Sequence, residues 1–259
     1  LELSLSLTQE DAVSESAYSL AAYLEGNSEK GTTDEVFEKE SERVLRIEVD
    51  GGVWIKPGAA IAYRGDLRFE RLATLQGGIP PGRMATRELV PLARAVGKGR
   101  LYCAHRGYHL RILRLAGETV HFAANELLAF EESLDYSIYL VEHKVGLVSG
   151  GLFAVRLSGS GMLAFAVHGD PLTLRVSAQE PLLSDPHATL AWSAGLSPNL
   201  QSDLSWRSLF KHGGGEPFQM RFEGEGYVVV QPSEEPGLWE GRFHPIKKLV
   251  STLGGALGL

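Results

Sequence analysis

From Arg43 onward, apolar and polar residues alternate with the spacing of strands that bury one face. Leu45, Ile47 and Val49 alternate with Arg46 and Glu48. Asp50-Gly51-Gly52 reads as a turn, Val53-Trp54-Ile55-Lys56 as a strand, and Pro57-Gly58 as a second turn. Ile61-Ala62-Tyr63 leads through Arg64-Gly65-Asp66 to Leu67, Phe69 and Leu72 at the same period. Phe153, Val155 and Leu157 repeat the pattern, as do Phe218, Met220 and Phe222. Three stretches depart from it. Thr8 caps an expected helix that carries Val13, Ala17, Leu20, Ala21 and Leu24 on one face and stops at Gly26-Asn27. This helix is expected to lie against the body or a partner. Residues 76–96 hold the loop signals Gly77-Gly78 and Pro80-Pro81, then a short helix expected from Thr86 to Val96. Ile246, Leu249, Val250, Leu253 and Leu257 share one helical face in the tail. The expected organisation is an N-terminal extension over 1–42 with an acidic linker at 26–42, a β domain over 43–232, and a tail over 233–259.

An internal repeat sharpens this reading. Gly97-Lys98-Gly99 and Gly159-Ser160-Gly161 lie 62 residues apart. At that offset Leu101 matches Leu163, Ala104 matches Ala166, Gly107 matches Gly169 and Leu110 matches Leu172. Leu128-Ala129 matches Leu190-Ala191, Phe130 matches Trp192, and Leu134 matches Leu196. A third opening stands at Gly224-Glu225-Gly226. Each Gly-x-Gly marks a bulge or a close approach of paired chains, and Gly107 and Gly169 mark turns. The spacing is too short for a βαβ unit, so the sheet should be antiparallel. The fold class is all-β, an antiparallel jelly roll or sandwich with internal duplication, plus short N- and C-terminal helices.

Composition narrows the functional classes. The net charge of −7 argues against a general binder of the phosphate backbone. One cysteine, Cys103, forms no internal disulfide and makes a thiolate metal site unfavourable. No apolar run approaches the roughly 20 residues of a membrane span, and the first residues lack the features of a signal peptide. A cytoplasmic location is the expectation.

Candidate chemistry is sparse. His105 and His109 flank Gly107, whose turn would separate them, and no His-x-His pair with a downstream Glu supports a metal. Ser160, within Ser158-Gly159-Ser160-Gly161, lacks the setting of a nucleophile elbow, and Lys98 occupies its slot in the first copy. Gly213-Gly214-Gly215 after Lys211-His212, like Gly97-Lys98-Gly99, lacks the Gly-Lys-Ser/Thr ending of a phosphate loop. Asp185-Pro186-His187 reads as a proline turn. Arg100, Arg106, Arg111 and Arg114, near Tyr102 and Tyr108, have the composition of a single-strand nucleic-acid surface, yet charged outer faces are routine in half-exposed strands. The tail with Lys247-Lys248 is expected to pack on protein in preference to a membrane surface.

Val53-Trp54-Ile55-Lys56-Pro57-Gly58 with Ile61-Ala62-Tyr63-Arg64-Gly65, then Gly151-Leu152-Phe153, the paired Gly-x-Gly units, and Gly224-Glu225-Gly226-Tyr227-Val228-Val229-Val230-Gln231-Pro232 carry a family resemblance. In that order, from about Arg43 to Pro232, the chain resembles the mitochondrial biogenesis family called altered inheritance of mitochondria, number twenty-four. The resemblance implies a fold like that of the trp RNA-binding attenuation protein, a double-stranded β-helix or jelly roll. It also implies homo-oligomers and, in eukaryotes, a link to organisation of the mitochondrial inner membrane. It supplies no catalytic residues.

The expected function is a non-enzymatic, oligomeric β-scaffold or assembly protein. No catalytic, cofactor-binding or metal-ligating residue is assigned, no cofactor is expected, and nucleic acid is not an expected partner. An unidentified protein partner is compatible with this reading. The alternative is a module that binds a small ligand or lipid in a jelly-roll or inter-subunit pocket.

Overall fold

Strand spacing is realised along most of the chain. The computed structural model describes residues 18–31, 34–71, 92–141, 153–202 and 218–232. Two units are distinguished, Leu1–Asp34 and Glu35–Leu259. In the first, helix α1 spans Leu20–Gly26. The Ser19 hydroxyl caps it by accepting a hydrogen bond of 3.1 Å from the Ala22 N–H, and Asn27 is the C-cap, as the Gly26-Asn27 signal predicts. The helix start expected at Thr8, the tail helix and the Gly213–Gly215 loop lie outside the described residues.

Among the described residues the second unit is all-β, and every strand pairing is antiparallel. The strands are β1 (Phe37–Ser41), β2 (Val44–Ile55), β3 (Ala60–Arg71) and β4 (Ala93–Cys103). Next come β5 (His109–Ala123), β6 (Leu127–Glu131), β7 (Leu134–Leu140) and β8 (Phe153–Val167). The last are β9 (Leu172–Val176), β10 (Leu182–Ser184), β11 (Thr189–Ser193), β12 (Asn199–Ser202), β13 (Phe218–Phe222) and β14 (Gly226–Val230). They form an 11-stranded sheet and a 3-stranded sheet, β10-β13-β12.

The pairing register shows the repeat directly and extends it to a third copy. In each copy a long first strand runs against a long last strand, and an arm, between them in sequence, lies along the other edge of the last strand. Copy one pairs β2 with β4 and lays β3 along β4. Copy two pairs β5 with β8 and lays β6 and β7 along β8. Copy three splits both long strands, so β9 meets β14, β10 meets β13, and β11 and β12 make the arm. Val49 opposes Gly99, Leu115 opposes Gly161, and Val176 opposes Gly226. Arg94, Arg156 and Arg221 hold one equivalent slot, opposite Trp54, His121 and Leu183. The match of Gly97 with Gly159 therefore holds in three dimensions, with Gly224 as its third member. Each Gly-x-Gly sits at the waist of a copy's last strand.

Backbone geometry explains those glycines. Gly97, Gly159 and Gly224 have φ of 131°, 111° and 115°, a region that side chains disfavour. A Cβ on Gly97 would collide with the Asp66 carbonyl oxygen, and one on Gly99 with that of Arg64. Gly107 and Gly169 make the expected turns, with φ of 73° and 71°.

Three expectations are corrected. Asp50-Gly51-Gly52 is not a turn, because β2 runs through it with Gly51 at φ 110°. Glycine serves a strand bulge as well as a turn, and spacing does not tell them apart. Ala93–Val96 belong to β4 and not to a helix, since pairing with β2 and β3 on both sides outweighs the helical spacing. The stretch read as a linker contains β1, which pairs edge to edge with β2 and sets Glu38 opposite Arg46.

Three apolar clusters follow the repeat. The first joins β2 and β4 residues such as Ile47, Ile55 and Leu101 to Leu128 and Ala164 of copy two. The second joins Phe122, Phe130 and Leu163 to Leu190 of copy three. The third holds Trp192, Met220, Phe222 and Val228. Each copy thus completes its core with residues of a neighbour, as repeat architectures do.

Gly99→Ala should destabilise the domain by about 3 kcal/mol or more, because a rigid carbonyl blocks the new methyl. Gly107→Ala, at a site whose Cβ position is open within 4 Å, should cost only about 1–2 kcal/mol from its left-handed backbone. Urea unfolding of the two variants measures the difference.

Candidate functional site

Two regions gather groups with functional potential. The first lies where long strands of all three copies end. Lys56 follows β2, His105 and Tyr108 follow β4, Glu126 lies between β5 and β6, His168 follows β8, and Gln231 follows β14. The Lys56 Nζ lies 2.9 Å from His105 Nε2 and also donates to the Asn125 carbonyl. Tyr108 packs its ring against both histidines, 5.6 Å from His105 and 5.0 Å from His168. Gln231 is buried, accepts from the His168 N–H at 3.1 Å and hydrogen-bonds the buried Glu126.

Electrostatics follow from this enclosure. Burial, then the Lys56 and Arg106 charges, push His105 down from 6.5 to about 4. Burial raises the Glu126 carboxyl, with Lys56, Gln231 and Arg106 opposing it. The groups hold one another across the copies; Glu126 and Gln231 are buried, His105 is half-buried, and His168 is exposed. This geometry ties the copies together at one end. It resembles a structural network more than a general acid–base site, which needs a titrating group facing a substrate.

The second region is the hairpin arm of copy one. In copies two and three the arm strands β6 and β11 are buried, with Phe130 and Trp192 fully enclosed. Each lies between its own last strand and the first strand of the preceding copy: Trp54 opposes Phe130, and His121 opposes Trp192. The rings stack, at 6.3 Å and 22° for Trp54–Phe130 and 5.6 Å and 5° for His121–Trp192. Tyr63 occupies the same slot in β3, opposite Leu101 as Phe130 is opposite Leu163, yet it is 54% exposed. Ile61 beside it is 58% exposed. Among the described residues, β3 pairs with β4 and with no second strand.

A shallow groove of about 450 Å³ runs along the copy-one waist, between Glu48, Asp50, Arg64, Lys98 and Arg100. Two ion pairs cross it: Arg100 donates to Glu48 at 2.7 Å, and Lys98 to Asp50 at 3.0 Å. Walls of charged side chains suit a lipid tail poorly.

The sequence-derived candidates fall as follows. The Gly107 turn separates His105 from His109, and no cluster of three or more metal-ligating side chains occurs among the described residues. Ser158 and Ser160 lie within β8 and not at a strand-to-helix elbow. Asp185-Pro186-His187 is a turn in which the Asp185 carboxylate accepts from the His187 N–H at 2.7 Å. Arg111 pairs with Glu42 and Asp170, Arg114 with Glu35, and Arg100 with Glu48, so these arginines do not form a bare basic face. Cys103 is buried, and burial pushes its thiol up to about 12. No helix among the described residues is long and apolar enough to cross a membrane. The sequence singles out His105 and Tyr108 but not the Lys56, Glu126 and Gln231 that gather around them, and it gives no sign of the open β3 edge. Period-two spacing predicted an ordinary half-buried β3, and only the Tyr63–Phe130–Trp192 equivalence distinguishes its exposure.

Residues 35–233 match the family described as mitochondrial biogenesis AIM24. The crystal structure of the Streptococcus pyogenes protein SPYM3_0169 is similar in fold, with a TM-score of 0.58 and 18% identity, over 85% of this chain and 97% of that one. No curated protein matches the chain.

In an NMR titration the His105 ring should change state near pH 4. Lys56→Met should move that midpoint upward while leaving it below 6.5, because burial remains. A base held below its ordinary value binds its proton more readily in the unfolded chain. Stability from this site is therefore present above about pH 6.5 and lost as pH falls towards 4.

Proposed function

This chain belongs to the mitochondrial biogenesis AIM24 family, and we propose that it is a non-enzymatic, oligomeric β-scaffold. One observation carries the reading. The copy-one arm exposes Ile61 and Tyr63 at positions whose counterparts, in copies two and three, are sealed by a neighbouring strand. An edge strand of 12 residues with apolar side chains in water invites pairing, and proteins normally cover such edges. Association of subunits covers it. The mutual satisfaction of the Lys56–His105–Glu126–Gln231 network favours a structural role for those polar residues over catalysis.

The jelly-roll fold of the trp RNA-binding attenuation protein, implied by the resemblance, belongs to this proposal, as does a cytoplasmic setting. The threefold antiparallel repeat supports the former. The single, buried Cys103 is compatible with the latter.

Native mass spectrometry of the purified chain tests the proposal. The expected spectrum shows a single assembly of several subunits with no stoichiometric small molecule. A monomer at micromolar concentration would overturn the scaffold reading. A retained ligand in every subunit would replace it with the alternative of a ligand-binding module.

A further inference from the structure

Copy three ends in an opening that mirrors the one on copy one. The first strand of copy one pairs its end with the arm of copy two, through Val53–Glu131, Trp54–Phe130 and Ile55–Ala129. The first strand of copy two pairs its end with the arm of copy three, through Val120–Ser193, His121–Trp192 and Phe122–Ala191. The equivalent end in copy three is β10. Its place is fixed by Leu182–Phe222 and Leu183–Arg221, which repeat Val120–Leu157 and His121–Arg156. Among the described residues β10 pairs only with β13, and Leu183 is 41% exposed. Among the described residues, one arm therefore lacks a preceding strand end, and one strand end lacks a following arm.

These edges are complements by the rule that the chain uses twice internally. We propose that β10 of one subunit pairs antiparallel with the first half of β3 of a second copy, placing Leu183 opposite Tyr63. This rests on the oligomeric reading above and specifies its contact. By the same register Leu182 faces Arg64, and Ser184 faces Ala62. The contact buries Tyr63 as Phe130 and Trp192 are buried, and places Leu183 in the slot of Trp54 and His121. It joins two different surfaces, so it propagates head to tail and closes into a ring when the rotation per subunit permits. The assembly continues the repeat across chains.

Disulfide trapping in the full-length chain tests the contact. Directly opposed residues of an antiparallel pair have Cα atoms about 4.5–5.5 Å apart, within reach of a disulfide. Tyr63→Cys and Leu183→Cys are made in separate chains, purified, mixed and oxidised. The buried Cys103 stays in place, common to all samples. The mixture should give disulfide-linked dimers at least tenfold more abundant than either variant alone, and the double variant should give a ladder of linked chains. A mixture no better than the single variants overturns the contact. So does a double variant that links only within one chain, since it closes its own edges. Native mass spectra of Leu183→Glu provide a second readout, at an exposed site where folding is retained. Loss of subunits from the assembly is expected, and an unchanged subunit number overturns the contact. A monomeric wild-type chain removes the oligomeric reading as well. An assembled wild type, combined with no cross-link between the Tyr63→Cys and Leu183→Cys chains, removes this contact alone.

Discussion

Everything else in the domain depends on one strand pairing made between successive copies. The end of a first strand lies against the next copy's arm and stacks a ring on it: Trp54 on Phe130, then His121 on Trp192. No copy encloses its own arm. Phe130 is enclosed because β2 precedes it, and Trp192 because β5 precedes it. Removing a buried ring of this size from a packed core costs about 3–5 kcal/mol, so these two junctions weigh heavily against a total stability of about 5–15 kcal/mol. Tyr63 is exposed because, among the described residues, no strand end lies against β3 as β2 lies against β6.

The pairing demands strands that bend, and the waists provide the bend. Gly97 and Gly99 let β3 and β4 approach until only hydrogen fits between the chains. Polar groups then secure the ends. Arg46, 1% exposed, reaches Glu38 and Glu40 of β1, the latter at 2.8 Å, and its Nε lies 3.6 Å from Glu48. Glu48 also receives Arg100, so one carboxylate links the buried charge to the groove. Removing Arg46 would leave carboxylates facing one another, which is costlier than the pairs are favourable.

Much of this was legible in the residues, and the failures have physical causes. Antiparallel strands, the turns at Gly107 and Gly169, and the equivalence of Gly97 with Gly159 follow from spacing and glycine chemistry. The third copy was visible only at Gly224, because breaks at Ser177–Pro181 and Gly224 divide its long strands. Arg46 looked like an outward charge because the acidic stretch holding β1 carries too little apolar signal to be read as a strand. Gly51 looked like a turn because a bulge and a turn require the same backbone freedom. The Lys56–His105–Glu126–Gln231 network was illegible, since its members come from different copies and meet only when the strand ends converge. Tyr63 sat in a segment singled out for family resemblance, but its open edge is a property of neighbours and not of local pattern.

The family assignment and the open edge bear on each other. The three copies among the described residues, with complementary edges, carry an assembly rule in their internal junctions, and the scaffold reading requires no chemistry beyond it. The central claim is that the β3 edge is covered by β10 of another subunit. Amide hydrogen exchange at residues 61–64, compared between the wild type and Leu183→Glu, measures that cover most directly. The account predicts slow exchange in the wild type and exchange faster by at least tenfold in the variant, although residue 183 lies far along the chain. Equal exchange in the two proteins would contradict it.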